Sequence, residues 1–247
     1  MRVLAIGAHP DDIEFGCGGT LLRHRLAGDA ITLLVMTSGE QGPDAELRTR
    51  EQEQAASLLG AELRWGGFLD GSVPADGDAV RVIEHVIAAT APDVVYTHAP
   101  QDTHQDHRAT SAAALAAARR ISRVLCFESP SSIGFNPTLY VDIAGLVEPK
   151  LDLLRAHMSQ VLHLGSLVDL EATESQARYR GFAARVREAE AFESHRFLWD
   201  PVVVERASHA SLVLPDVRDG VDAASNNEPA SNQSQFGLFA DGGEQSS

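Results

Sequence analysis

The sequence lacks any apolar run long enough to cross a membrane. Its 247 residues are 44% hydrophobic and 22% charged, which is the balance of an ordinary globular chain. No stretch reaches the roughly eighteen consecutive apolar residues of a transmembrane helix, so we expect no integral membrane segment. The N-terminus runs directly into a short apolar segment, so we also expect no export signal.

Cysteine and positive charge are also scarce. Two cysteines, Cys17 and Cys126, cannot build a disulfide framework or a cysteine-rich zinc site, and they favour a reducing cytoplasm. The 35 acidic residues outnumber the 20 lysines and arginines, which gives a net charge of −15. A surface that acidic repels phosphate backbones and argues against nucleic acid as a partner. A homo-oligomer is compatible with this composition.

The last 32 residues have little that could form a core. Residues 216–247 carry six acidic residues and one basic residue, and they are rich in Ser, Asn, Gln and Gly. Such a segment cannot bury enough apolar surface to fold, so we expect a disordered acidic and polar tail after a single folded domain at residues 1–215. The alternative is that Phe236 and Phe239 dock on the folded body or on a partner.

In the body, short apolar segments alternate with helical patterns. The patterns predict strands at 3–7, 31–36, 63–65, 93–97 and 124–127. They predict helices between them at 20–26, 47–59, 79–89 and 107–119. This alternation indicates an α/β fold with a doubly wound, parallel sheet and helices on both faces. The C-terminal part is more helical, with helices at 151–162 and 171–192 and a strand at 139–143.

Ligands of such sheets bind beyond the carboxyl ends of the strands. Four polar segments follow the first four predicted strands and should share one rim: AHPDDIE at 8–14, TSGE at 37–40, FLDG at 68–71 and HAPQDTHQDH at 98–107. The first of them has no Gly-x-Gly-x-x-Gly pattern, which argues against a dinucleotide site. Its carboxylates would repel phosphate and attract a cation. The glycines at 16, 18 and 19 are expected to serve close helix–sheet packing and a tight turn.

Two imidazoles and one carboxylate on this rim form a candidate metal site. His9 and Asp12 lie three residues apart, and His107 follows the fourth strand. This donor set suits a catalytic Zn²⁺ that keeps one position open for water. It also suits a non-haem iron, but the three-residue spacing in an α/β chain favours zinc.

Three further residues could support acid–base chemistry at this metal. Zinc lowers the pKa of its water toward neutrality, and Asp11 could accept the proton of that water. His104 could protonate a leaving nitrogen or stabilise an oxyanion, and Asp106 could fix the tautomer of an imidazole. Taken singly, an Asp-Asp pair is usually a helix N-cap and a His pair usually lies on the surface. The alternative function is therefore a non-catalytic sugar-binding or nucleotide-binding module.

Together these segments resemble the PIG-L/LmbE-like zinc-dependent N-acetylglucosaminyl deacetylases. AHPDDIE, GCGGT at 16–20 and HQDH at 104–107 carry the resemblance. Weaker matches are TSGE, RTRE at 48–51, Asp70 with Gly71, Lys150, HMSQ at 157–160 and AEAF at 189–192. One departure is Gln105, where the family often has proline.

The resemblance implies a Rossmann-like sheet and Zn²⁺-dependent hydrolysis of the acetamide of an N-acetylglucosamine unit, which makes the partner a small amino-sugar conjugate. It implies His9, Asp12 and His107 as zinc ligands and Asp11 as general base. It also places His104 near the oxyanion and Asp106 in support. Glu40, Arg48 and Asp70 are expected to bind substrate.

The residues do not choose among the family's substrates, which include thiol-cofactor precursors, glycolipid anchors, chitin fragments and glycosylated antibiotics. The segment at 129–137 follows a strand at the rim and carries Ile133 and Phe135. If this segment has a function, we expect these two side chains to form an apolar wall against a hydrophobic aglycone. The alternative is a surface loop without a role.

Overall fold

The computed structural model describes residues 1–41, 44–161 and 168–199, which belong to one compact unit, Met1–Trp199. The expected domain end at residue 215 and the tail at 216–247 lie outside the described residues. Within the described part, no helix combines the length and the apolar character needed to cross a membrane.

One sheet of seven strands runs through this unit. The strands are β1 (Arg2–Gly7), β2 (Ala30–Thr37), β3 (Glu62–Phe68), β4 (Val94–His98), β5 (Arg123–Phe127), β6 (Leu139–Asp142) and β7 (Ala189–Phe197). Their order is β3-β2-β1-β4-β5-β7-β6. The first five are parallel, and β7 pairs antiparallel with both β5 and β6. The mostly parallel, Rossmann-like sheet is confirmed.

Helices cover both faces of this sheet. They are α1 (Asp12–Leu26), α2 (Ala45–Leu59), α3 (Gly77–Thr90), α4 (Gln105–Ala117), α5 (Val147–Arg155), α6 (Met158–Val161) and α7 (Leu170–Ala184). Because side chains alternate along a strand, β1 supplies both layers of the core. Val3 and Ala5 pack in the cluster that includes side chains of α1 and α2. Leu4 and Ile6 pack in the cluster that includes side chains of α3 and α4.

The prediction of a helix at 171–192 is wrong for the C-terminal part of that segment. Helix α7 ends at Ala184, where Arg185 takes a left-handed conformation with φ 63°, and the chain returns as β7. Alanine and glutamate favour a helix by propensity, but residues 189–192 are buried between β5 and β6. The sheet pairing gained there overrides the local preference.

Two other helix boundaries also differ from the prediction. The segment 151–162 is broken after α5, where the fully buried His157 lies with its Nε2 3.5 Å from Glu14 Oε2. The helix expected at 20–26 begins at Asp12 and is kinked at Cys17. Its early start places the acidic residues after β1 directly at a helix N-terminus.

Candidate active site

The site lies where the sheet reverses its strand order. Strands β1 and β4 are neighbours, and the chain leaves them toward opposite edges of the sheet. This is the switch point at which doubly wound sheets bind ligands. A cavity of about 230 Å³ opens there. It is lined by His9, Asp11, Asp12, Phe15, Arg48, Asp70, His104, His107, Pro130, Ser131, Gln160 and Val168.

His9 is held between carboxylates on two sides. Its Nε2 lies 3.1 Å from Asp70 Oδ1 and 3.2 Å from Asp106 Oδ2, while its Nδ1 lies 3.4 Å from Asp12 Oδ2. Burial lowers the pKa of His9, but the contacts with Asp106, Asp12 and Asp70 outweigh it and raise the pKa well above its usual value. Asp106 is fixed in turn by the backbone N–H groups of Gly71 and Val73, at 2.6 and 3.1 Å. The imidazole that Asp106 supports is therefore that of His9.

His107 has the same two-sided arrangement. Its Nε2 lies 3.3 Å from Asp12 Oδ1, and its Nδ1 lies 3.2 Å from Asp102 Oδ2. Burial lowers the pKa of His107, but Asp12 and Asp102 outweigh that cost and raise the pKa to about 9. With Nδ1–H donated to Asp102, Nε2 is free to bind a metal beside Asp12.

Asp12 is the centre of this arrangement. Burial raises the pKa of its carboxyl group, but His107 and His98 outweigh burial and hold that pKa well below its usual value. Its Oδ2 accepts the backbone N–H of His9 at 2.7 Å. His98 stacks on His107 at 4.1 Å between ring centroids and accepts the N–H of Ala8 at 3.1 Å through Nε2. His98 therefore ties the end of β4 to the turn that carries Asp12.

The buried donors of this site include groups that could hold a divalent metal, and the predicted trio His9, Asp12 and His107 is spread over two of these groups. Among the described residues, three overlapping groups have donor atoms within 4.8 Å of one another: His9/His104/His107, Asp12/His98/His107 and His9/Asp70/Asp106. The predicted ligands His9 and His107 each turn one ring nitrogen toward Asp12 and the other toward a supporting carboxylate. That carboxylate–imidazole arrangement is typical of metal-ligating histidines.

Asp11 faces the cavity beside Asp12 because its backbone is unusual. Its φ is 95°, a left-handed value that is rare for a residue other than glycine. Its N–H donates to Gln52 Oε1 at 3.3 Å, and Gln52 donates to the buried Glu14 at 2.8 Å. Burial, and then the charge of Asp12, raise the pKa of Asp11 to about 7. A carboxyl group with such a pKa suits a proton acceptor at neutral pH.

His104 is the N-cap residue of α4 and lines the same cavity. The backbone N–H of Asp106 donates to His104 Nδ1 at 3.2 Å, so a neutral ring carries its proton on Nε2. Burial and the neighbouring His9 and His107 lower the pKa of His104. Of the two roles left open by the sequence, this geometry favours hydrogen-bond donation to an oxyanion.

Of the three expected substrate-binding residues, two line the cavity and one does not. Asp70 and Arg48 line the cavity. Arg48 also donates to the carbonyls of Gly39 and Pro10 at 3.1 and 3.2 Å, so it joins the segments after β1 and β2. Glu40 accepts the N–H of Asp70 at 2.6 Å, and it does not belong to the cavity lining. Glu40 therefore fixes the backbone of Asp70 from outside the cavity.

The segment at 129–137 reaches the cavity at other positions than expected. Pro130 and Ser131 line it. Ile133 is 55% exposed and borders a separate surface depression, and Phe135 lies 5.3 Å from the guanidinium of Arg180. The apolar wall expected from Ile133 and Phe135 is therefore not part of this cavity.

His98 and Asp102 are two buried residues at the site for which the sequence predicts no role. Both belong to the polar segment 98–107 that was placed on the rim, where His98 is the last residue of β4 and Asp102 follows it. Their place at the end of a buried strand was the available signal. Their partners, Ala8 for His98 and Ser129 for Asp102, come from distant parts of the chain.

The comparisons with known proteins agree with this geometry. Residues 4–118 match the PIG-L family, described as GlcNAc-PI de-N-acetylase. The uncharacterized deacetylase YaiS of Escherichia coli K12 is 36% identical over 167 residues, which cover 64% of this chain and 90% of that protein. The chain belongs to the PIG-L family, and the resemblance is confirmed.

Solved structures share the fold. The N,N'-diacetylchitobiose deacetylase of Pyrococcus horikoshii matches with a TM-score of 0.70 and 25% identity, covering 78% of this chain and 83% of that one. GalB, the 4-carboxy-2-hydroxymuconate hydratase of Pseudomonas putida KT2440, matches with a TM-score of 0.71 and 20% identity, covering 82% and 99%. Because a hydratase shares the fold, the reaction has to be argued from the site.

Proposed function

We propose that this protein is a zinc-dependent N-deacetylase that hydrolyses the acetamide of an N-acetylglucosamine-type unit in a small glycoconjugate or natural product. The observation that carries the proposal is the arrangement of His9, Asp12 and His107 around one cavity with Asp11 beside them. Membership of the PIG-L family supports the reaction class.

His9, Asp12 and His107 would hold the metal. A bound zinc ion supplies Lewis acidity, which lowers the pKa of water and polarises a carbonyl oxygen. Asp11 accepts the proton of the attacking water, and its pKa of about 7 leaves it able to do so at neutral pH. His104 donates through Nε2 to the oxygen that gains charge when the carbonyl is attacked.

The remaining residues position these groups. Asp106 fixes His9, and Asp70 lines the cavity, where its carboxylate can accept a sugar hydroxyl. Arg48 holds the loops after β1 and β2 together, and Glu40 fixes the backbone of Asp70. We place the protein in the cytoplasm because Cys17 and Cys126 are both free and buried, which suits a reducing compartment.

Acetate release tests the reaction. Protein stripped with a chelator and reloaded with Zn²⁺ is incubated with N-acetylglucosamine, its inositol and malate conjugates, diacetylchitobiose and an N-acetylglucosaminylated antibiotic core. We expect zinc-dependent acetate release from at least one conjugate, with free amine formed in equal amount. Zinc-loaded, folded protein that releases no acetate from any of them would contradict the proposal.

The alternative is a sugar-binding module without catalysis, and the same panel separates the two. A binding module would retain ligands of the panel without turnover, and Asp11→Asn would leave every measured output unchanged. A deacetylase would lose acetate release in that variant while keeping its zinc.

A further inference from the structure

Asp102 contacts Nδ1 of His107, the candidate metal ligand, and both of its carboxylate oxygens accept hydrogen bonds. Oδ1 accepts the backbone N–H of His104 at 2.8 Å and the hydroxyl of Ser131 at 2.6 Å. Oδ2 accepts the hydroxyl of Ser129 at 2.5 Å and lies 3.2 Å from His107 Nδ1. The Asp102 side chain has no solvent exposure. A buried carboxylate with this many donors has a single orientation.

These contacts fix the position of the proton on His107. The hydroxyls of Ser129 and Ser131 both lie much closer to Asp102 than to His107 Nδ1, which is 3.4 Å from each. Their protons are therefore directed to the carboxylate and not to Nδ1. Oδ2 also accepts from the hydroxyl of Ser132 at 3.2 Å, and the Nδ1–H of His107 is its further donor. In the neutral ring, which is the form that binds a metal, Nε2 is then the nitrogen with the lone pair, on the side of Asp12.

We propose that Asp102 is a positioning residue that selects the metal-binding tautomer of His107 and joins that ligand to the cavity wall through Ser129 and Ser131. This inference rests on the proposed metal site. Ser131 lines the cavity and also donates to the carboxylate of Asp102. Asp102 therefore connects the cavity wall at Ser131 to the metal-ligand candidate His107.

The substitution Asp102→Asn tests the proposed role in tautomer selection, because the amide of Asn can take only one orientation at this position. The N–H of His104 can only donate, so the oxygen of Asn has to take the Oδ1 position. The amide nitrogen then takes the Oδ2 position and faces His107 Nδ1 as a donor. His107 would have to accept through Nδ1 and carry its proton on Nε2, which blocks metal binding there.

Asp102→Ala removes the carboxylate without imposing the wrong tautomer, because a water can accept from Nδ1–H. We therefore expect Asp102→Asn to weaken Zn²⁺ binding by about 10–100-fold, and Asp102→Ala to weaken it less. For thermal stability we expect the opposite order, with Asp102→Asn more stable than Asp102→Ala, because Asn keeps the volume and several hydrogen bonds of Asp. A purely structural role predicts that zinc affinity follows stability, with Ala the weaker binder.

Zinc affinity is measured by chelator competition on the full chain, at a temperature where all variants are folded. The control Asp169→Ala removes the side-chain cap of α7, at 2.8 Å from Ala172 N, and should lower stability without changing zinc affinity. Weaker zinc binding by Asp102→Asn than by Asp102→Ala supports the inference. The inference is overturned if Asp102→Asn binds zinc as tightly as the parent chain, or if Asp102→Ala binds zinc more weakly than Asp102→Asn. A parent chain that binds no zinc overturns the proposed function instead.

Discussion

At the residue scale, two adjacent carboxylates are given opposite properties by their surroundings. Asp12 faces His107 and His98, which outweigh burial and keep its pKa well below the usual value. Asp11 has a left-handed backbone, and burial, followed by the charge of Asp12, raises its pKa to about 7. One group is thus suited to bind a cation and the other to accept a proton.

Replacing Asp11 by Asn should separate these two roles. Asn tolerates the left-handed backbone of this position better than Ala does, so the fold and the metal ligands should stay in place. We expect Asp11→Asn to retain its zinc and to lower kcat by about two to four orders of magnitude, since the general base is lost. Metal analysis and acetate release on the same preparation provide the measurement.

The matched variant is Asp12→Asn, which should lose zinc together with activity. If Asp11→Asn loses zinc as readily as Asp12→Asn, then the assignment within the pair is wrong.

At the element scale, helix α1 lies unusually close to the sheet. A Cβ built on Gly16 would stand 2.2 Å from Cδ2 of Phe127, at the end of β5. The ring of Phe127 is fully buried and also packs against His98, at 4.8 Å between ring centroids. The expected role of this glycine in close helix–sheet packing is confirmed.

Gly16→Ala should therefore destabilise the protein by about 1–3 kcal/mol, because Phe127 has no room to move. Unfolding by urea, followed by circular dichroism, measures the loss. The control is Gly18→Ala in the same helix, where a Cβ would lie 3.4 Å from Leu153, an ordinary contact distance. That variant should be as stable as the parent chain or slightly more so, since Ala favours a helix. Equal losses would show that helix backbone effects, and not the contact with Phe127, dominate.

At the scale of the whole molecule, one buried ion pair connects three elements. Lys150 Nζ of α5 lies 2.7 Å from Glu190 Oε1 of β7 and donates to the carbonyl of Phe15 at 2.6 Å. Glu190 also accepts the N–H groups of Gly19 and Thr20 in α1, at 2.8 and 2.7 Å. The pair holds the C-terminal part of the described unit against the helix that carries Asp12.

Lys150→Met should cost about 3–5 kcal/mol of stability, because it leaves Glu190 buried without its charged partner. Thermal and urea unfolding measure this loss. Arg119→Met breaks the exposed ion pair with Glu84 and should cost about 0–1 kcal/mol. Similar losses in both variants would mean that Glu190 is adequately solvated without Lys150.

The sequence by itself determined the fold class and the polar segments that meet at the site. Strands such as β1, β2 and β4 are visible as short apolar runs because both of their faces are buried. The helices between the strands are visible as periodic patterns because each buries one stripe. The site residues could be assembled because parallel strands bring the segments that follow them to one rim. His9, Asp11, Asp12, His104 and His107 meet there as predicted.

The tertiary structure alone decided the partners of those residues. Strand β7 was mistaken for helix because its Ala and Glu residues are helix formers, and only its place between β5 and β6 makes it a strand. Asp102 and His98 passed unnoticed because their roles depend on Ser129 and Ala8, which are remote in the chain. Short-range patterns record which face of an element is buried, but hydrogen bonds between distant segments exist only once the sheet has brought its strands together.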